Sequence, residues 1–169
     1  MAELAARERL QPSLLDRLTD HEPDKSAEPR DRRVLSLRTL REGVLRDLAW
    51  LLNTTNLLSF GAAARLPHLA NSVVNYGVPD ISGVPVASLN TTQLERGIRH
   101  AIWDFEPRLI RSSVSVKVLA GGSLDHNKLT FAIEADLWAQ PYPERLYLKT
   151  ELDLDSASMS LSETSGGAP

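Results

Sequence analysis

The sequence predicts an α+β domain in which two main helices pack on one face of a three-stranded antiparallel meander, preceded by a short N-terminal helix. Three observations favour this fold class. Apolar residues recur every three or four positions in residues 38–53 and again in residues 90–105, which is the helical period. From residue 110 the period changes to two, in three runs separated by turn residues. The two helices can then cover the apolar face of the sheet.

The first helical signal is short and begins at Pro12-Ser13. Leu14, Leu15 and Leu18 give it one apolar face. Residues 21–30 follow with two prolines, many charges and no periodicity, which is typical of a linker. Because so short a helix is marginal alone, we expect residues 1–33 to be a docking helix and linker, with the three leucines contacting a partner protein.

The two main helices have clear stripes and clear ends. The first stripe consists of Leu37, Leu40, Val44, Leu48, Leu51 and Leu52. This helix ends in residues 53–56, an Asn-Thr-Thr-Asn run whose side chains compete for backbone hydrogen bonds. The second helix begins near Asn90, and Pro107 ends it because the residue before a proline avoids the α region.

Three alternating runs follow, in residues 110–118, 129–137 and 146–154. Gly121-Gly122 and a Pro-Tyr-Pro sequence at 141–143 predict the turns between them. The third strand is then an exposed edge of the sheet. Such an edge can dock a strand of another chain, or its charged side chains can prevent that pairing. We therefore expect an α+β domain over residues 34–155 and a flexible tail over residues 156–169.

Composition excludes several classes of function. The chain has 169 residues and a net charge of −3, whereas a dedicated nucleic-acid binder is usually basic. There is no cysteine, and the four histidines (His21, His68, His100 and His126) have no metal-ligand spacing. We expect no metal and no cofactor. The longest uncharged run, residues 48–64, is short and polar in its middle, and no leader-like segment precedes it, so a cytoplasmic protein without direct membrane insertion is expected.

The candidate site is the Glu106-Pro107-Arg108 sequence between the second main helix and the first strand. The simplest interpretation is a helix stop with two solvated charges, which would matter more for contacts than for folding. A glycosidase would need two carboxylates that share a cleft. Asp104 and Glu106 are two residues apart and so face different ways on a helix, and the neighbouring arginine favours an ionised carboxylate. No catalytic residue is therefore predicted.

Four local patterns in one order resemble the TssE family, the small wedge subunits of the bacterial type VI secretion baseplate, which are related to a wedge protein of contractile-tailed phages. They are PSLLDRL at residues 12–18, VLRDLAWLLNT at 44–54, SVVNYGVPD at 72–80 and IWDFEPRL at 102–109. The resemblance extends from residue 12 to about residue 155. It implies a wedge-type α+β domain that is similar to the small domain of the sheath subunit, in which neighbours exchange strands.

The resemblance implies a structural, non-enzymatic role. Family members lie in the wedge with TssF and TssG, near TssK, and help to start assembly of the sheath formed by TssB and TssC. The Glu106-Pro107-Arg108 motif is implicated in contacts with other wedge proteins, at an apparatus associated with the inner membrane. The alternative is a peptidoglycan hydrolase, since the family has been labelled "lysozyme-like", and a third possibility is an unrelated binding module that uses its sheet edge.

Overall fold

A computed structural model describes residues 13–19, 23–24, 36–58, 67–80, 89–119, 128–139 and 142–164. Its helices are α1 (Leu14–Leu18), α2 (Leu37–Leu52), α3 (Pro67–Ala70) and α4 (Thr91–Phe105), with 3₁₀ turns at Val73–Asn75 and Arg111–Ser113. Its strands are β1 (Ser115–Val118), β2 (Lys128–Leu137), β3 (Glu144–Asp153) and β4 (Ser158–Glu163). The expected turn at Gly121-Gly122 and most of the expected linker lie outside the described residues.

The strands form one antiparallel sheet in the order β1-β2-β3-β4. Alternate residues of β2 and β3 are buried and face each other across the ladder, as Ile133 does with Leu148 and Ala135 with Leu146. The intervening positions carry charges, for example Glu134 and Lys149. One face of the sheet is therefore packed and the other is largely polar, which is the usual pattern of an antiparallel sheet.

The predicted three-stranded meander is wrong, because the sheet has a fourth strand. Besides the two main helices and the predicted short N-terminal helix α1, the described part of the chain has one further short helix, α3. Strand β4 lies within residues 156–169, where the sequence predicts a flexible tail. Its sequence, SMSLSE, contains only two apolar residues, so its hydrophobic signal is weak. Pairing with β3 stabilises it, since Met159 faces Leu152 and is buried.

Helices α2 and α4 cover the packed face and contact each other. Ser36 caps α2 by accepting a hydrogen bond from the Thr39 amide, and Asn90 caps α4 through the Gln93 amide. A single hydrophobic core results, and its fully buried members include Leu48, Leu52, Ile98, Ile102 and Phe131. Within the described ranges no helix is long and apolar enough to cross a bilayer.

The segment between α2 and α4 is held against the end of α2. The Val78 amide donates to the Thr54 carbonyl at 2.8 Å, and the Val78 carbonyl accepts from the Asn56 amide at 2.9 Å. Gly77 has a φ of +123°, and a Cβ on it would lie 2.2 Å from the Thr54 carbonyl oxygen, so only glycine fits there. This packing places Tyr76 edge-on to Phe105 at the end of α4, with 5.2 Å between the ring centroids.

Candidate functional site

The predicted site residues Glu106, Pro107 and Arg108 form the turn that ends α4. The Glu106 amide donates to the Ile102 carbonyl at 2.9 Å and closes the helix, and the Leu109 amide donates to the Glu106 carbonyl at 3.2 Å. Pro107 excludes helical backbone at Glu106, which has a φ of −121°. Pro107 itself is exposed at the tip of the turn.

Glu106 is 4% exposed, so the interpretation of two solvated charges is wrong. Both of its carboxylate oxygens accept from the Arg108 side chain: Nε donates to Oε1 at 2.7 Å and Nη2 to Oε2 at 2.5 Å. The Arg108 amide also donates to Oε1 at 3.2 Å. This bidentate pair compensates the buried carboxylate and fixes the direction of both side chains.

The pair continues into a network that crosses to α2. Arg108 Nη2 donates to Asp47 Oδ2 at 2.6 Å, and Arg46 Nε donates to Asp47 Oδ1 at 2.9 Å. Arg46 Nη1 then donates to Asp16 Oδ1 of α1 at 2.6 Å. We call these five residues, Asp16, Arg46, Asp47, Glu106 and Arg108, the charge network. It joins α1, α2 and the turn after α4.

The network shifts the pKa values of three of its members, Arg108, Asp16 and Arg46. Burial lowers the pKa of the Arg108 guanidinium, but the hydrogen bonds and charges of Glu106 and then Asp47 outweigh burial and raise it. Burial raises the pKa of Asp16, but the hydrogen bonds from Arg46 and Ser13 outweigh that effect and hold it below 3.8. The Asp16 hydrogen bond is the main cause of the raised pKa of Arg46. These three side chains are therefore held in their charged forms.

The predicted partner-binding leucines lie on α1, which is attached to the domain by its polar side. Ser13 caps the helix through the Asp16 amide, and Asp16 binds Arg46. Leu14 and Leu18 are 71% and 74% exposed, and Leu15 is partly exposed. The structure thus brings α1 next to the Glu106-Pro107-Arg108 turn through the charge network, while the leucines stay accessible.

Three of the residues that build this arrangement were not predicted from the sequence. The sequence pattern around Asp16, Arg46 and Asp47 is that of ordinary surface charges. No local feature of the sequence indicates that Asp16 binds Arg46, 30 positions later in the chain. One signal was available, because Gly43 lies inside α2, where glycine weakens a helix. A Cβ on Gly43 would lie 3.4 Å from Asp16 Oδ2 and 3.7 Å from Arg108 Nη1, which are ordinary contact distances, so the network packs directly against this position of α2.

The edge of β1 is partly closed by a side chain. The carboxylate of Glu95, from α4, accepts from the Val118 amide at 2.8 Å. Since Val118 is at the end of β1, this bond occupies a donor that would otherwise be offered to another chain.

The other edge strand is β4, rather than β3 as the sequence predicts. The side-chain amide of Asn53 donates to the Met159 carbonyl at 2.8 Å, and the Met159 amide donates to Asn53 Oδ1 at 2.9 Å. Asn53 therefore replaces a neighbouring strand at one position.

A cavity of about 310 Å³ lies between α4 and the loops after α2. Among its described lining residues Asp104 is the only carboxylate, with His100 one turn before it. Paired carboxylates of the kind a glycosidase needs are therefore lacking in that lining. The described residues also contain no cluster of three acidic or histidine side chains that could hold a metal ion.

Comparison with known proteins gives one match. The family model described as "Baseplate wedge protein gp25" matches residues 38–142, which run from the first turn of α2 to the loop before β3. No curated protein and no solved structure matches the chain. Helix α1 and strands β3 and β4 lie outside the matched range.

Proposed function

Because the chain belongs to the family of the baseplate wedge protein gp25, we propose that it is the TssE-type wedge subunit of a type VI secretion baseplate. The family is that of a structural baseplate component of contractile injection machines. The assignment to type VI secretion is supported by the family match, which covers the residues that contain α2, α4 and the Glu106-Pro107-Arg108 turn. In this role the protein has no catalytic residue.

The proposed wedge contacts are made by two neighbouring surfaces. One is the leucine face of α1, where Leu14, Leu15 and Leu18 have no cover among the described residues. The other is the tip of the turn at Pro107, which is rigid because Glu106 and Arg108 are locked to each other. The charge network holds both surfaces in one orientation, which reduces the ordering cost of binding. We assign TssF and TssG to these surfaces, with TssK nearby.

Initiation of the sheath is assigned to the sheet. A wedge subunit that starts a sheath must present the first TssB and TssC subunits with a surface similar to that of a sheath subunit. Edge strands suit this role, because their free backbone groups can pair with a strand of another chain. Strands β1 and β4 are the two edges. The proposed location is the cytoplasmic face of the membrane-associated apparatus.

The test is co-purification of the full chain, carrying a C-terminal tag, from its native cells, with mass spectrometry of the bound proteins. We expect TssF and TssG in the eluate and their loss when Leu14 and Leu18 are both changed to serine. A matched control changes Val73 and Val74 to serine, because these two apolar side chains are also exposed (81% and 62%) but lie on the 3₁₀ turn after α3.

Two results would contradict the proposal. If the wedge proteins are absent from the wild-type eluate, the chain is not a wedge subunit. If the purified protein releases muropeptides from peptidoglycan and Glu106→Gln abolishes the release, the protein is a hydrolase. We expect no release, since both oxygens of Glu106 are occupied by Arg108.

A further inference from the structure

A cationic cluster is formed by the last turns of α4 and by the 3₁₀ turn that precedes β1. Its members are Arg99, Trp103 and Arg111, which we call the Trp103 cluster. The Arg99 guanidinium lies 5.4 Å and the Arg111 guanidinium 4.8 Å from the centroid of the indole ring. Both distances allow cation–π attraction. The ring therefore holds two positive charges next to each other, although like charges repel.

These two charges are not compensated within the described part of the chain. Five other arginines bind carboxylates there: Arg38, Arg41, Arg46, Arg108 and Arg145. No described carboxylate pairs with Arg99 or Arg111. Glu95, one turn before Arg99, instead accepts from the Val118 amide. An acidic chain with a net charge of −3 thus keeps a local excess of positive charge.

The cluster also contains buried donors without acceptors. Trp103 Nε1 and Arg99 Nε are both buried, and neither has a hydrogen-bond partner among the described residues. A buried donor without an acceptor is unfavourable, and an unpaired group of this kind in a folded protein calls for an explanation. These buried donors show that the cluster is not saturated by its own surroundings, and the exposed Arg111 guanidinium beside Arg99 is the part of it that an external carboxylate can reach.

We propose that the Trp103 cluster binds an acidic segment of a partner protein through its carboxylate groups. The planar fork of an arginine matches a carboxylate with two parallel hydrogen bonds. A nucleic acid fits the site less well, because the cluster has only two guanidinium groups and tight nucleic-acid binding rests on many phosphate contacts. Arg111 immediately precedes β1, an edge strand, so an approaching chain has access to the cluster. The cluster shares no residue with the α1 leucines or with Pro107, and its occupant does not depend on the proposed function.

The test measures binding of a fluorescein-labelled hepta-glutamate peptide to the full chain by fluorescence anisotropy at physiological ionic strength. We expect the Arg99→Gln/Arg111→Gln double variant to bind about tenfold more weakly. The matched control is Arg38→Gln/Arg145→Gln, which changes the net charge equally. Arg145 also lies over an aromatic ring, 5.7 Å from the Tyr147 centroid, but it is already paired with Glu134 and Asp136. The control should bind the peptide as the wild type does.

Three results would overturn the proposal: no binding of hepta-glutamate by the wild type, an equal loss in the control variant, or tighter binding of a single-stranded heptanucleotide than of the peptide. If the double glutamine variant does not fold, as judged by circular dichroism, Arg99→Lys/Arg111→Lys replaces it. Lysine keeps the charge but not the fork, so we expect binding about threefold weaker than wild type. Unchanged binding by the lysine variant would also overturn the proposal.

Discussion

Arg108 Nη2 donates to Asp47 Oδ2 at 2.6 Å and so joins the turn after α4 to the middle of α2, across 61 positions of the chain. The same guanidinium compensates the buried carboxylate of Glu106. One side chain therefore has two functions: it holds two helices together, and it fixes the turn whose tip is exposed at Pro107. A substitution at Arg108 affects the stability of the fold as well as any interface.

Arg108→Ala should destabilise the isolated protein by about 3 kcal/mol, because it leaves the buried Glu106 carboxylate unpaired. Urea unfolding followed by circular dichroism measures this loss. Arg38→Ala is the control, since the Arg38–Glu42 pair is exposed and its removal should leave the urea midpoint unchanged. Equal midpoints for Arg108→Ala and the wild type would mean that Glu106 finds another partner or reaches water.

A contact role of the turn needs a variant that keeps the charge network. Pro107→Ala is such a variant, because the Pro107 side chain is exposed and is not part of the charge network, so Glu106 and Arg108 are unchanged. We expect its free energy of unfolding, from urea titration, to lie within about 0.5 kcal/mol of the wild-type value. We expect its co-purification with wedge proteins to be weaker. Wild-type levels of co-purification would show that the tip of the turn does not contact them.

Acidification should release α1 before the sheet unfolds. The pKa of Asp16 is lowered in the folded protein, so its contribution to docking is complete above the unfolded value of 3.8 and is lost as the pH falls through the lower folded value. Backbone ¹H–¹⁵N NMR spectra in a pH series should show the resonances of residues 13–19 moving to random-coil positions below pH 3.8, while those of β2 and β3 stay. A transition centred above 3.8 would contradict the assigned sign.

Asp16→Asn is the companion variant at neutral pH. Asparagine keeps the size of the side chain but removes the charge that binds Arg46. We expect faster amide exchange in residues 13–19 by mass spectrometry, with unchanged exchange in α4. Asp104→Asn is the matched control, since Asp104 lines the cavity and is not part of the charge network. Equal exchange rates in Asp16→Asn and the wild type would mean that another contact holds α1.

The periodic parts of the fold could be predicted from the sequence. Helix α2 buries its predicted stripe except for Leu37, which is exposed at the start of the helix, and the apolar stripe of α4 and alternate residues of β2 and β3 are buried as their spacing indicates. Strand β4 could not be predicted, because its two apolar residues become buried only by pairing with β3 and by the bonds between Asn53 and Met159. Tertiary contacts, rather than local pattern, stabilise that strand.

The candidate site was predictable only in part. The proline between two opposite charges identifies a turn, but the local pattern indicates solvated charges and cannot show that Glu106 is buried. The environment of the Glu106–Arg108 pair depends on α2, which lies about 60 positions earlier in the chain and contributes Asp47 as a second partner of Arg108. Whether Leu14, Leu15 and Leu18 contact a partner stays a prediction, although all three are accessible.

Two substitutions at Gly43 should distinguish the steric effect of a larger side chain on the charge network from the effect of glycine on helix propensity. Gly43→Ala places a methyl group in ordinary contact with Asp16 and removes a weak helix former, so stability should stay equal or rise by up to about 1 kcal/mol. Gly43→Leu keeps good helix propensity but inserts a large side chain where Asp16 and Arg108 meet, which should cost about 1–3 kcal/mol. Thermal unfolding of both variants measures the difference. Equal stabilities would mean that α1 and Arg108 move aside without loss.

Asn53→Ala should weaken β4 without disturbing the rest of the sheet. The Asn53 side chain donates to and accepts from the backbone of Met159 and also donates to the Ala49 carbonyl at 2.8 Å, so the variant removes three hydrogen bonds. Each is worth about 0.5–1.5 kcal/mol, so we expect faster amide exchange in residues 158–163 and a lower urea midpoint. Asn71→Ala is the control, because Asn71 is exposed and its side chain forms no hydrogen bond within the described residues. If β4 exchanges at the wild-type rate in Asn53→Ala, then pairing with β3 and burial of Met159 are sufficient to hold the strand, and Asn53 serves only to end α2.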